Sequence, residues 1–182
     1  KTLAFVLPLL QAHVLPLAGR GAGLLERPKV RVKTAATPKV ECRPRLLLVA
    51  PSRELAAQTA RIVRDLLAPY PQLNSTLLIG GANYQRQDEA LKLKQPVVVI
   101  GTPGRIVDHA MEGRLVLTAV KATVFDEIDG LLSVSRKDHM EMILKCLGKG
   151  TRKQTVLVSA TGATHLETEQ FCAETLREGF QT

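Results

Sequence analysis

Five short apolar runs punctuate the chain, at residues 46–50, 76–79, 97–101, 123–126 and 155–159. Each lacks the polar alternation of a half-exposed strand, and such runs belong to strands buried on both faces of a parallel sheet. Between them the apolar spacing shifts to a helical period. Residues 53–67 set Leu55, Ile62, Leu66 and Leu67 near one face, with Ser52 at the N-cap position. Further helices are predicted at 3–10, 84–93, 104–111, 137–147 and 164–177. Strand–helix alternation with short connections builds βαβ units. The expected fold class is therefore α/β: a three-layer sandwich with a mostly parallel central sheet flanked by helices. Ligands in such sheets bind outside the carboxyl ends of the strands, so the residues that follow each apolar run are the ones to read for chemistry.

One stretch breaks this rhythm. Residues 19–44 contain a Gly-Arg-Gly-Ala-Gly run and three prolines, without apolar periodicity. Between Arg20 and Arg45 stand eight basic and two acidic residues, which account for six of the eight net positive charges of the chain. A long loop of this composition is read first as a solvated, flexible insertion within one domain spanning 1–182. The chain's 182 residues suit one such domain with a real core.

The net charge of +8 favours a polyanionic partner. Aromatic residues are only 3% of the chain, with no Trp, which weighs against base stacking as the main mode of contact. Cys42, Cys146 and Cys172 are far apart and form no CxxC or Cys/His cluster, so a zinc site or disulfide framework is not indicated. Reduced thiols point to an intracellular setting. His13, His109, His139 and His165 are scattered and read as surface or helix-end residues. No apolar run reaches membrane-spanning length. No signal peptide is visible in a chain that opens on Lys, which leaves any targeting segment upstream.

Chemistry gathers where the strands end. Val124-Phe125 runs straight into Asp126-Glu127-Ile128-Asp129, three carboxylates within four residues. Like charges this close need a cation. A nucleotide-bound Mg²⁺ takes one or two carboxylates and keeps several waters, and a neighbouring carboxylate can then activate the attacking water. Taken alone, the same run is also an ordinary acidic turn. Lys1-Thr2, followed by a helix, matches the last two residues of the phosphate-binding pattern G-x-x-x-x-G-K-[ST]. Ser159-Ala160-Thr161 sets two small hydroxyls after the last strand. Gly80-Gly81 and Thr102-Pro103-Gly104-Arg105 each follow an apolar run, and Pro51-Ser52-Arg53-Glu54-Leu55-Ala56 follows another. Thr102 stands where it would N-cap a helix that begins at Pro103, whose N-terminus can receive a phosphate. Structural capping explains any one of these helix starts but explains the set poorly.

In this order, Lys1-Thr2, residues 51–56, Gly80-Gly81, 102–105, 126–129 and Ser159 to Thr161 resemble the sequential motifs of the DEAD-box helicases of superfamily 2. The resemblance spans nearly the whole chain. It implies the first RecA-like domain of an ATP-dependent RNA helicase, opening inside its own phosphate loop. It further implies that Lys1 and Thr2 bind ATP phosphates, that Thr2 and Asp126 hold Mg²⁺, largely through water, and that Glu127 activates the hydrolytic water. Asp129 would contact Ser159 and Thr161, linking nucleotide state to RNA remodelling. Arg53, Gly81, Thr102, Gly104 and Arg105 would contact the RNA backbone without sequence preference. The partners implied are RNA, a second RecA-like domain beyond Thr182 and a ribonucleoprotein complex, with no membrane. The segment 19–44 then has a second reading, as an RNA-binding arm.

The chain departs from the family pattern in four places. Ile128 replaces the Ala of D-E-A-D, so a larger side chain must fit beside the site. Ser52 replaces Thr and keeps the capping oxygen. Gly162-Ala163 stand where Met-Pro is more usual, and 19–44 lengthens the gap between the first two motifs. Helicases of this type close two domains around ATP and RNA, so residues 1–182 alone are expected to show negligible ATPase activity. Two alternatives remain at this point: a non-catalytic RNA-binding scaffold derived from the same fold, and a DNA-directed superfamily 2 translocase.

Overall fold

The computed structural model describes residues 2–19, 40–132, 137–148 and 153–159, with Phe171 and Thr175. Helix α1 (Thr2–His13) leads the described chain. Strand β1 (Leu46–Val49) and helix α2 (Arg53–Leu67) come next, then β2 (Ser75–Leu78) and α3 (Tyr84–Lys94). They are followed by β3 (Val98–Gly101), α4 (Pro103–Met111), β4 (Ala122–Phe125), the single turn α5 (Ile128–Leu131), α6 (Lys137–Leu147) and β5 (Gln154–Leu157). The predicted elements hold to within a residue or two at their ends; α1 runs three residues further than its apolar run. The helix expected at 164–177 lies largely outside the described residues, although Phe171 and Thr175 are helical.

All described strands pair in parallel, in the order β2-β3-β1-β4-β5. Side chains alternate across the sheet, so Leu46 and Leu48 enter one core with Val6, Leu9 and Leu10 of α1 and Ala56 and Val63 of α2. Leu47 and Val49 enter the other, with Ile106 of α4, Leu131 of α5 and Met140 and Ile143 of α6. Burial on both faces is why β1 and β3 are uninterrupted apolar runs; β4 is buried throughout as well, with Thr123 the one polar residue in it. Phe125 meets Phe171 edge-to-face at 5.8 Å between ring centroids. These layers make the α/β sandwich that the sequence predicts.

Three expectations need correction. The composition bounds the insertion at 19–44, but the last of these residues are anchored. Cys42 donates its N–H to Arg114 O at 2.8 Å, accepts from Val116 N at 2.8 Å and is fully buried; Pro44 is buried as well. Residues 20–39 lie outside the described residues. His109, read as a surface or helix-end position, does sit in the last turn of α4 but is wholly buried. Ile128 does not crowd the space beside the acidic turn, because α5 turns its side chain into the core with Phe125 and Leu131, where it is 1% exposed.

Candidate nucleotide and nucleic-acid site

A parallel sheet brings every carboxyl end to one edge. A staircase of backbone hydrogen bonds fixes the loops there: Thr102 N to Leu78 O (3.0 Å), Ala50 N to Gly101 O (3.0 Å), Asp126 N to Val49 O (2.9 Å) and Val158 N to Phe125 O (2.9 Å). Across the edge the loops therefore follow the order Gly80-Gly81, Thr102, Pro51-Ser52, Asp126, Ser159. This differs from their order in the chain because β1 sits between β3 and β4.

The first three loops enclose a cleft of about 630 Å³, lined by Ser52, Arg53, Gly80, Thr102, Gly104 and Arg105. His139 at the start of α6 closes one side, with Nε2 3.6 Å from the position a Cβ would take on Gly104. Ser52 caps α2, its Oγ accepting from Leu55 N at 3.2 Å. Thr102 occupies the N-cap of α4 with Pro103 next, but its hydroxyl caps none of the helix N–H groups. Gly81 has φ +77°, in the left-handed region, and a Cβ on it would run into the Arg53 guanidinium, with Cζ only 3.0 Å away. The left-handed turn is what calls for glycine there, and the guanidinium, at the far end of a flexible side chain, occupies the space that the missing Cβ leaves.

Arg105 is held from several sides. Its Nη1 donates to Ala82 O at 3.3 Å, its Nε lies 3.4 Å from the Asp108 carboxylate, and its Cζ stands 5.2 Å from the Tyr84 ring centroid. Tyr84 in turn stacks on His109, with centroids 4.3 Å apart and planes 8° from parallel. Burial, and then the Arg105 charge, lower the His109 pKa from its ordinary value, which favours the neutral imidazole. Beneath the Gly80-Gly81 turn, Gln87 pins Ile79 in both directions, accepting from its N–H at 3.2 Å and donating to its carbonyl at 3.1 Å.

The acidic turn and Ser159 form the other half of the edge. Asp126 Oδ1 accepts from Glu127 N at 3.1 Å. Glu127 adopts φ 50°, ψ 60°, a left-handed conformation uncommon outside glycine, before α5 begins. Ile128 N donates to Val158 O at 3.0 Å, which draws the β5 end against α5, and Ser159 Oγ donates to Asp129 Oδ1 at 2.6 Å. Gly130 faces Pro51, with room for a Cβ only at 3.2 Å from the proline ring. The acidic turn thus abuts the loop that carries Arg53.

The structure brings Arg53, Gly81, Thr102, Gly104 and Arg105 to one cleft and its rim, and Asp126, Glu127, Asp129 and Ser159 to the adjoining loops. Thr2 is the first residue of α1. Lys1 and Thr161 lie outside the described residues. Sequence reasoning missed His139, Gln87 and the Tyr84–His109 stack. Gln87 carried one faint signal: it stands one turn before Leu91, and the two share the buried face of α3.

Among the described residues, no three His, Cys, Asp or Glu side chains converge as a protein-only metal cage. A strand-end carboxylate such as Asp126 instead suits an ion that keeps its waters and takes further oxygens from phosphates. The donor chemistry present is therefore compatible with magnesium bound together with a nucleotide. Among the described residues, no helix is long and apolar enough to cross a membrane.

Known proteins resemble this chain in sequence and in fold. The family model for the DEAD/DEAH box helicases matches residues 1–168. DEAD-box ATP-dependent RNA helicase 47, mitochondrial, of Arabidopsis thaliana is 37% identical over 173 residues, which cover 88% of this chain and 29% of that protein. Among solved structures, S. cerevisiae Dbp5 bound to Nup159, Gle1, IP6 and ADP aligns with a TM-score of 0.61 at 27% identity, covering 74% of this chain and 33% of that one. Mss116p bound to ssRNA and AMP-PNP shares the fold, with a TM-score of 0.69 at 23% identity over 95% of this chain and 32% of that one. The chain thus spans under a third of the length of these proteins. A matched family model over nearly the whole sequence, on a RecA-like sheet with its motif loops along one edge, places the chain in the DEAD/DEAH box helicase family.

Proposed function

We propose that this chain is an ATP-hydrolysing domain of an ATP-dependent RNA helicase, and that the two halves of its sheet edge divide the work. The observation that carries this reading is the order of loops across the edge. Three helix or turn starts with Arg53 and Arg105 lie over β2, β3 and β1, and the acidic turn with Ser159 lies over β4 and β5. The first half suits a phosphate backbone and the second a nucleotide triphosphate.

On the nucleotide side, Lys1 and Thr2 bind the phosphates, and Asp126 and Thr2 are the residues that would hold magnesium. Bound magnesium supplies positive charge against the phosphate oxygens. Glu127 accepts the proton of the attacking water as its oxygen bonds to the γ-phosphorus and the bond to the bridging oxygen of ADP breaks. On the RNA side, Arg53 and Arg105 contact phosphates while Gly81, Gly104 and Thr102 allow and complete the close approach. Backbone contacts carry no sequence information, and the 2′-hydroxyls mark the strand as RNA. Asp129, Ser159 and Thr161 link the two halves. A second RecA-like domain, a ribonucleoprotein setting and an intracellular location complete the reading.

The test is ATP turnover by the full-length protein with and without single-stranded RNA, beside Glu127→Gln. RNA-stimulated turnover should fall in the variant by about 10²-fold or more, the worth of a positioned general base. Intact RNA binding without turnover in the unaltered protein would favour a scaffold. Preferential separation of matched DNA over RNA duplexes would favour a DNA translocase.

A further inference from the structure

Of the two arginines among the candidate RNA contacts, Arg105 is the less free. Its side chain is 13% exposed, whereas Arg53 is an exposed residue. A cation meant to meet a phosphate gains if its geometry is fixed beforehand, because less side-chain entropy is lost on binding. The residues that fix this one lie below the cleft. Arg105 and His109 stand one helical turn apart on α4, so their side chains share a face. Tyr84 comes from α3 and touches both, Arg105 at 5.2 Å from its ring centroid and His109 at 4.3 Å between centroids. Arg105 also reaches Ala82 O, two residues before Tyr84 and next to Gly81. The same residues therefore tie the glycine turn after β2 to the helix start after β3.

Histidine is an odd choice for this place if packing is the whole explanation. His109 is fully buried, and neither ring nitrogen has a hydrogen-bond partner among the described residues. An aliphatic residue would fill the space without burying two polar atoms. What imidazole supplies is a flat ring that stacks on Tyr84. The charged groups facing it are Arg105, Asp88, Asp108 and Glu112, and the net effect of burial and these charges is a lowered pKa. A neutral ring supports the tyrosine without adding a second positive charge beside Arg105.

We propose that Tyr84 and His109 are positioning residues for RNA binding: the stacked rings hold the Arg105 guanidinium and the Gly80-Gly81 turn in the geometry that receives a phosphate. This rests on the reading of the cleft as the RNA site.

The full-length helicase should be tested as Tyr84→Leu, Tyr84→Phe, Arg105→Ala, Arg53→Ala and the double variant Tyr84→Leu/Arg105→Ala. The readouts are the affinity for a single-stranded RNA oligonucleotide across a salt series, and kcat against the RNA concentration that half-saturates ATP turnover. Arg105→Ala should weaken RNA binding about tenfold and lower the salt slope by about 0.7, the loss of one phosphate contact. Tyr84→Leu keeps an apolar filler but removes the ring. It should weaken binding by about three- to tenfold, lower the slope in the same sense and raise half-saturation, with kcat within about twofold. Tyr84→Phe should restore all three. In the double variant the tyrosine substitution should add nothing to the arginine one, as expected for residues acting as one unit.

Additive losses, or a Tyr84→Leu protein that is less heat-stable with an unchanged salt slope, would overturn the proposal and leave a packing role. If Arg53→Ala weakens binding and Arg105→Ala does not, the cleft stands and the positioning role falls. If neither arginine matters, the RNA reading of the cleft falls and takes the proposal with it.

Discussion

Ser159 Oγ donates a 2.6 Å hydrogen bond to Asp129 Oδ1, joining the second residue after β5 to the first turn of α5 across thirty positions of sequence. Hydrogen bonds to a charged acceptor are worth about 1.5–3 kcal/mol, enough to shift a two-state coupling tenfold or more. Ser159→Ala in the full-length protein should therefore keep ATP turnover within about threefold while RNA duplex separation drops about tenfold or more. Parallel measurement of the two rates decides it; equal losses in both would make the bond a catalytic support instead of a coupling device.

Gly81→Ala should weaken RNA binding in company with Arg53→Ala. The left-handed backbone at Gly81 costs an L-residue about 1–2 kcal/mol, and the added Cβ displaces the Arg53 guanidinium. A urea midpoint and an RNA titration on the same sample separate these effects. Gly81→Ala with lowered stability but unaltered RNA affinity would show that the arginine re-seats without loss.

Restoring the family's alanine at Ile128 should harm this chain. Ile128 is 1% exposed within the core formed by Phe125, Leu131 and Met140. Removing its branched side chain leaves a cavity, at a cost of about 2–5 kcal/mol. Chemical denaturation of Ile128→Ala measures this directly, and a stability equal to that of the unaltered protein would contradict the packing described here.

Cys42 should resist alkylation in the native protein and react once it unfolds. Burial pushes its thiol up to about 12 from an ordinary 9.0. The folded state disfavours the thiolate, so this contribution to stability is intact below about pH 9 and is lost as pH rises from there towards 12. Thiol labelling at pH 8 and thermal unfolding across pH 8 to 11 give the two readings. Rapid labelling of Cys42 in the folded protein would refute the first, and a melting temperature that rises through that window would refute the second.

What the sequence made legible was whatever a local rule governs. Residues 46–50 read as a buried strand because both faces need apolar side chains, and Ser52 read as a cap because a hydroxyl before an apolar helix has one obvious use. The acidic turn was visible because like charges cluster there without local relief. The layer under the cleft was hidden, since Tyr84 and His109 are twenty-five positions apart and neither belongs to a motif. The same holds for Cys42, whose bridge partner is Leu115. Ile128 enters the core after a left-handed residue at Glu127, and nothing in four letters reveals that φ is 50°.

The staircase of four backbone bonds along the strand ends has a kinetic meaning. Thr102, Ala50, Asp126 and Val158 each begin their loop one hydrogen bond from the neighbouring strand's last carbonyl. Their amides should exchange with solvent together, as one cooperative unit, and slowly compared with the loop tips beyond them. The separation between the roots of the arginine loop and the acidic loop is then a constant of the domain. Motion during a reaction cycle has to be carried by side chains, by loop tips or by a whole domain moving as a body.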